Sequence, residues 1–314
     1  MMKNLPSPAQ PLKIGTRGSP LALWQAHEVR RSLMAAFELP EAAFQICVIK
    51  VLGDQIQDRA LKDIGGKGLF TREIEEALLA GDIDIAVHSM KDMPTVQPAG
   101  LTLDCYLPRE DVRDAFVSPL VASLADLPQG AVVGSSSLRR RAQLRLRRPD
   151  LQVVEFRGNV QTRMKKLEDG VAQATFLAMA GLNRLGMAHL AQGPVEVTDM
   201  LPAVAQGAIG VERRLADDRV AGLLAAVHHG PTGVRLAAER GYLARLDGSC
   251  ETPIAGLAVI DGDSLWLRGE ILRPDGSEAI AGERRGGLAD AGAVGVALAE
   301  ALLAAAPKGF FDWN

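Results

Sequence analysis

Short apolar runs alternate along this chain with stretches in which apolar residues recur every three or four positions. That alternation predicts strands and helices in turn. Leu12 to Thr16 reads as a buried strand. Ser19 is placed to cap the next helix with Pro20 at its first position, and Ala22, Ala26, Val29, Leu33 and Phe37 mark the buried face. A nearly continuous apolar strand is expected from Ile46 to Leu52, interrupted by Lys50. A glycine-rich loop, Gly65 to Gly68, leads into a helix from Leu69 to Ala80 that stops at Gly81, and a strand from Ile83 to Met90 ends in Lys91-Asp92 before Pro94.

The pattern restarts after Pro128. Ala131 to Gly134 and Leu151 to Phe156 read as strands. Ser135-Ser136-Ser137 caps a helix that begins with arginines, and Val160 to Asp169 is a helix halted by Gly170. Alternating strands and helices predict α/β units with parallel sheets, whose ligands sit beyond the carboxyl ends of the strands. Lys91, Asp92, the serine run and Arg157 fall at those ends. The last stretch differs: Ile254 to Ile260, Ser264 to Leu272 and Glu278 to Arg285 are separated by Asp261-Gly262 and Pro274-Asp275-Gly276. They predict a small antiparallel sheet, followed by an Ala/Leu helix over Leu288 to Ala305.

Length and composition narrow the class. At 314 residues, with 47% hydrophobic and 23% charged residues, the chain is globular and long enough for two or three domains. The first fourteen residues hold no apolar run long enough for a signal peptide or a membrane span. The three cysteines, Cys47, Cys105 and Cys250, form no CxxC pair, and an odd count argues against a disulfide framework. A reduced, cytoplasmic, soluble protein is expected. No P-loop, GxGxxG or Gly-x-Ser-x-Gly pattern occurs, and the five histidines show no metal-ligand spacing, so no metal is expected.

Charge is where the chain departs from the average. Between Arg139 and Lys166 ten Lys or Arg residues face only Asp150 and Glu155, although the net charge is −3. Arginine holds carboxylates and phosphates through a planar fork that keeps its proton, so the pattern points to a polyanionic ligand. The serine run followed by Arg139-Arg140 combines backbone N–H groups, hydroxyls and guanidinium groups at one helix end. It reads equally as an anion site and as simple capping with solvated charge, and Arg17 has the same two readings. Arg145, Arg147 and Arg148 read as a solvated face. Asp92 beside Lys91 is a candidate proton-handling group, although its spacing before Met-Pro also suits a surface turn. Cys250, in Leu246-Asp247-Gly248-Ser249-Cys250, is a candidate nucleophile or attachment point if exposed, and an inert thiol if buried.

Six stretches in register resemble the porphobilinogen deaminase (hydroxymethylbilane synthase) family. They are Ile14 to Ala26, Gly65 to Phe70, Asp84 to Asp92, Ser136 to Arg140, Arg157 to Val160 and Leu246 to Cys250. The resemblance implies two α/β domains like those of periplasmic binding proteins, flanking a cleft, and a small α+β C-terminal domain with a three-stranded antiparallel sheet. The implied boundaries are residues 1–107 with about 205–226, 108–204 as an arginine-rich wall, and 227–314. It also implies a transferase that polymerises four porphobilinogen units head to tail on a covalently bound dipyrromethane primer. The products are ammonia and the linear tetrapyrrole hydroxymethylbilane, in heme and porphyrin biosynthesis.

By the same resemblance Cys250 carries the dipyrromethane through a thioether and Asp92 is the catalytic acid and base. Ser89, Lys91, Ser137, Arg139 and Arg140 contact the cofactor. Arg17, Ser19, Lys67, Arg157, Arg163, Arg184 and Gln206 bind substrate. The expected partners are porphobilinogen and the growing oligopyrrole, with no nucleic acid and no membrane, and the expected state is a monomer. Each pyrrole brings an acetate and a propionate, which gives the arginines their use. The chain departs from the family pattern at Ser135, where Thr is common, at Ala205, where Gly usually precedes Gln206-Gly207, at Ala172-Gln173, where Tyr-Asp is frequent, and at Val51-Leu52. Two rival readings are a two-lobed carboxylate-binding protein without catalysis, which leaves Cys250 without a use, and a nucleic-acid binder. The negative net charge and an aromatic content of 4% argue against the latter.

Overall fold

In the computed structural model, which describes residues 5–52, 71–248 and 252–312, the strand expected at Leu12 to Thr16 forms as β1 (Leu12–Thr16). It pairs in parallel with β2 (Phe44–Val48) on one side and β3 (Ile85–Ser89) on the other. Ser19 caps α1 (Pro20–Phe37) with Pro20 at its start, as the spacing requires. Ala26, Val29 and Leu33 face the sheet, joined on that face by Val220, Leu223 and Leu224 of α6 (Asp218–Ala225). The opposite face is covered by Ile74 and Leu78 of α2 (Arg72–Ala80), which ends at Gly81 in a left-handed conformation. Both faces of the sheet are therefore apolar, which accounts for the largely buried character of β1 and β3.

β2 is shorter than expected, closing at Val48 rather than Leu52. The apolar residues after it belong to packing, not pairing: Val51 is buried in the cluster around Ile74 and Leu78, with Ile49 against it. The sheet is also mixed rather than parallel. Its order is β2-β1-β3-β10-β4, and β10 (Ile209–Arg214) runs antiparallel to both β3 and β4 (Leu101–Tyr106).

A second sheet repeats this plan in the order β7-β6-β8-β5-β9. Here β6 (Val132–Gly134) is parallel to β7 (Gln152–Val154) and β8 (Ala174–Ala178). β5 (Asp114–Val117) is antiparallel to β8 and to β9 (Gly193–Pro194). Phe116, Val133 and Phe176 face one side with Leu144 of α3 (Leu138–Arg147). Val117 and Leu177 face the other with Leu167 of α4 (Val160–Glu168) and Leu182 of α5 (Met179–Arg184). The chain divides into two compact units, one of residues up to 52, 71–110 and 208–233, the other of 111–207 and 234–312. In each sheet the antiparallel strand is the one adjoining a crossing of the chain between units. A strand delivered from a distance has no obligation to follow the local βαβ direction.

The second unit also holds the C-terminal meander of β11 (Ile254–Asp261), β12 (Ser264–Leu272) and β13 (Ala279–Gly287), antiparallel throughout. α7 (Gly230–Arg245), from Val234 onward, and α8 (Ala291–Ala305) accompany it, and the expected start of α8 at Leu288 is one turn of 3-10 helix. Leu288–Ala305 is apolar and long enough to cross a bilayer by length and composition. Its Val294, Leu298 and Leu302 lie over Gly286 and Gly282 of β13.

Candidate active site

In the first unit the parallel pairing of β1 and β3 brings the ends of both strands to one edge of the sheet. Thr16, buried at the end of β1, donates from Oγ1 to the carbonyl of Ala22 at 3.1 Å, and the Ser19 hydroxyl accepts from the Ala22 N–H at 3.3 Å. Arg17 and Ser19 are thereby held at the mouth of α1. Buried Gln25 of the same helix donates from Nε2 to the Ser89 hydroxyl at 2.8 Å, fixing the end of β3. The chain then makes one 3-10 turn, Met90–Asp92. Met90 and Met93 are buried on either side of it, and the Met90 N–H donates to the Ala208 carbonyl at 3.0 Å. Gly210 leaves room for the Met90 thioether, which any Cβ there would meet. Lys91 and Asp92 are left exposed on an anchored turn. The flanks of Asp92 are buried and apolar, while its own side chain is exposed.

Behind this turn lies a buried group that the sequence reading missed. His88 Nε2 is 3.1 Å from Glu212 Oε2, both side chains being buried, and Glu75 of α2 is buried close by. Burial, and then the charge of Glu212, push the Glu75 carboxyl up. A carboxyl raised in the fold keeps a proton that the unfolded chain gives up, so its cost grows as pH rises above the ordinary glutamate range of about 4. Glu75→Gln is therefore expected to raise the melting temperature at pH 8 relative to the parent protein, with the difference vanishing towards pH 4. A variant equally destabilised at both pH values contradicts this. Cys105, buried in β4, has its thiol pushed up to about 12, first by burial and then by Asp104. Such a thiol is inert.

In the second unit the serine run caps α3. Ser137 Oγ accepts from the Arg140 N–H at 3.5 Å, Ser135 Oγ from the Ser137 N–H at 3.3 Å, and Ser136 Oγ from the Phe156 N–H at 2.9 Å. Two arginines in a helix's first turn oppose its dipole and need compensation. It comes from Asp114 at the start of β5, fully buried. Arg140 donates from Nε and Nη2 to Asp114 Oδ1 at 3.2 and 2.6 Å, and Arg139 Nη2 lies 2.8 Å from Oδ2. Gln206 donates to the same Oδ1 at 2.9 Å. Burial alone pushes the Asp114 carboxyl up. The charges of Arg139 and Arg140, with hydrogen bonds from Arg140 and Gln206, outweigh it and hold the carboxyl well below the usual carboxylate range.

Further basic groups gather near this pair. Arg163 of α4 donates from Nε to the Gly158 carbonyl at 2.9 Å. Its guanidinium is pushed down to about 10, first by burial and then by the charge of Arg140, with Arg157 adding to the effect. Arg184, buried at the end of α5, donates to the Gly207 carbonyl at 2.7 Å. The rest of the basic block is structural, contrary to the solvated face expected for Arg145 and Arg148. Arg148 clamps Asp150 and the carbonyls of Leu124 and Leu127, Arg145 reaches the Pro274 carbonyl, and Arg141 pairs with Glu155. Arg147 remains exposed.

The departure at Ala205 has a local account. Its φ is +61°, a left-handed conformation that costs a residue with a Cβ roughly 1 kcal/mol. The fully buried carboxylate of Glu239 holds it there, accepting from the Ala205 N–H at 2.6 Å and the Ala258 N–H at 2.8 Å. This places the neighbouring Gln206 against Asp114.

Ser89, Lys91, Asp92, Arg17 and Ser19 thus fall at one sheet edge of the first unit. Ser137, Arg139, Arg140, Arg163, Gln206 and Arg184 converge in the second, and Arg157 is coupled to Arg163 by charge. Lys67 and Cys250 lie outside the described residues. Asp114, Glu239 and the His88–Glu212 pair were not singled out from sequence. The only hint for Asp114 was an isolated acid opening the apolar run Ala115-Phe116-Val117.

Two guanidinium groups share one buried carboxylate, leaving a net positive charge, and the buried Arg139 Nε has no hydrogen-bond partner among the described residues. A carboxylate-bearing pyrrole would supply an acceptor and the missing charge, so the donor set fits a dipyrromethane. No group of His, Cys, Asp and Glu suited to a metal ion occurs among the described residues.

Residues 12–222 match the family profile described as porphobilinogen deaminase, dipyromethane cofactor binding domain, and residues 234–304 that of the porphobilinogen deaminase C-terminal domain. The chain is 69% identical over 313 residues to the porphobilinogen deaminase of Paracoccus denitrificans strain Pd 1222, covering 100% of both chains. Among solved structures it is distantly similar to a periplasmic substrate-binding protein of an ABC transporter from Coxiella burnetii, at 14% identity and TM-score 0.41, covering 73% of this chain and 96% of that one. A YaeC-family lipoprotein from Enterococcus faecalis V583 is similar at 13% identity and TM-score 0.42, covering 69% and 91%. With both profiles matched in order and identity sustained along the whole length, the chain belongs to the porphobilinogen deaminase family, transferases with a dipyrromethane cofactor that polymerise porphobilinogen to hydroxymethylbilane in tetrapyrrole biosynthesis.

Proposed function

We propose that Asp92 is the acid and base of this reaction and that Cys250 holds the dipyrromethane. Ser89, Lys91, Ser137, Arg139 and Arg140 bind the cofactor. Arg17, Ser19, Lys67, Arg157, Arg163, Arg184 and Gln206 bind the substrate and the growing chain. The observation that carries this reading is that two guanidinium groups, Arg139 and Arg140, share a single buried carboxylate, with Arg163 near enough to feel the charge of Arg140. Such a site is costly without anionic ligands and favourable with them. When bound, the dipyrromethane supplies the nucleophilic pyrrole carbon that primes the polymer.

The protein's own groups do the rest. Asp92 projects from a turn whose backbone is anchored by Met90 and Met93, and its carboxylate takes up and returns a proton and stabilises positive charge on a pyrrole. The arginine forks orient acetate and propionate groups and screen their mutual repulsion. We further propose a division into three domains at the boundaries given above, a monomer, and a cytoplasmic setting without nucleic-acid or membrane partners.

An intact-mass spectrum tests the attachment. The purified chain is expected to exceed its sequence mass by two condensed pyrrole units, and Cys250→Ser to lack that excess. Retention of the added mass in the Ser variant places the linkage elsewhere.

A further inference from the structure

Asp114 is fully buried, and Arg139 and Arg140 are only 4% and 6% exposed, so this cluster operates largely out of water. Every nitrogen of Arg140 is engaged within the protein: Nε and Nη2 on Asp114 Oδ1, and Nη1 on the Phe176 carbonyl at 2.7 Å. Arg139 commits Nη2 to Asp114 Oδ2, and Nη1 to the Leu201 carbonyl at 2.9 Å and to Gln143 Oε1 at 3.2 Å. Among the described residues its buried Nε has no hydrogen-bond partner, nor has Asp114 Oδ2, whose contact with Nη2 is an ion pair. A second carboxylate therefore finds one donor directly and obtains a full fork only by taking donors from Asp114. Gln206 keeps one hydrogen bond on Asp114 Oδ1 whichever way the guanidinium groups turn.

We propose that Asp114 is a positioning residue that competes with ligand carboxylates for the Arg139–Arg140 pair, so that it sets how tightly the pair retains an acidic pyrrole and how readily it lets one go. This rests on the reading that the two arginines bind acetate or propionate groups. A polymerising enzyme has to pass a lengthening acidic chain along and finally release it. Permanently unshared guanidinium groups would bind such a chain most tightly when it is longest. An internal carboxylate makes each transfer an exchange of one charge-assisted fork for another, with a small net change in free energy. Asp114 touches the arginines and not the reacting atoms; its effect is on retention.

The test compares the full-length holoenzyme with Asp114→Asn, which removes the charge and keeps the shape. The readouts are KM and kcat for porphobilinogen, together with the masses of enzyme-bound intermediates after a limiting pulse of substrate. Freed of its competitor, the pair is expected to lower KM about tenfold, to lower kcat comparably, and to make the longest intermediates persist. A variant that had merely lost structure would show a raised or unchanged KM and the parental pattern of intermediates, and that result overturns the proposal. If the Asn variant does not fold, Asp114→Ala is unfolded thermally in sodium acetate and in sodium chloride of equal ionic strength. Stabilisation by acetate beyond that by chloride supports an exchangeable carboxylate, and equal curves overturn it. The parent protein's own intact mass keeps the two claims apart. Absence of the two added pyrrole units defeats the reading of the site, whereas their presence with an unchanged KM in Asp114→Asn defeats only the exchange.

Discussion

Asp92→Asn is expected to slow turnover by about 150-fold or more while leaving the fold intact, because a preorganised charge aimed at a developing positive centre is worth roughly 3 kcal/mol or more. The two halves of that statement have separate origins. The kinetic loss follows from replacing a carboxylate, which carries charge and accepts a proton, by an amide that does neither. The structural tolerance follows from how the turn is held: burial of Met90 and Met93 and the bond from the Met90 N–H to the Ala208 carbonyl fix the backbone, and the Asp92 side chain is exposed. Single-turnover formation of the first pyrrole adduct, followed by intact mass, reads the first half, and thermal unfolding the second. Turnover within tenfold of the parent removes Asp92 from the role.

Arg140→Leu is expected to lower unfolding stability by about 3–5 kcal/mol, the usual cost of stripping a partner from a buried charge. Asp114 then keeps Arg139 and Gln206 but loses the hydrogen bonds at 3.2 and 2.6 Å, and the Phe176 carbonyl loses its donor. The effect has a pH signature. Because the folded carboxyl of Asp114 is depressed, its contribution is complete above the unfolded aspartate range near 4 and is lost as pH falls below it. In the variant the carboxyl rises, so the stability gap should be full at pH 6–8 and narrow on acidification below about 4. Arg140→Lys should recover little of it, since an ammonium cannot reproduce three nitrogens set in one plane. Urea unfolding at several pH values provides the measurement, and a gap independent of pH would falsify the assignment of the loss to Asp114.

Local pattern reveals much of this molecule because many of its elements are specified locally. Ser19 with Pro20 and Ser137 before Arg139 are caps whose chemistry is complete within four residues, and each helix begins where its cap predicts. β12 forms over Ser264–Leu272 as expected, because the turns on both sides contain glycines at positive φ, Gly262 and Gly276. The extent of β2 was less legible. Hydrophobicity reports burial, and Val51 is buried against α2 without joining the sheet. Strand direction failed for a similar reason: nothing within β10 marks its sense, which depends on where the chain comes from. Within the site, the arginines were conspicuous as a density of charge. Their division into binding and structural groups was not, because Arg148 and Arg140 have the same sequence character and differ only in what packs beside them.

Taken alone, the sequence determined the order of elements, the family through six motifs in register, Asp92 at the end of a strand, and a demand for anionic ligands. Each is a property of neighbouring residues or of composition. Tertiary structure decided which of ten cations share the buried carboxylate of Asp114, that Glu239 holds Ala205 at φ +61°, and that His88 meets Glu212 across strands. Those facts depend on groups brought together over separations of 25 to 124 residues. Burial then makes their charges strong, and no local pattern encodes that.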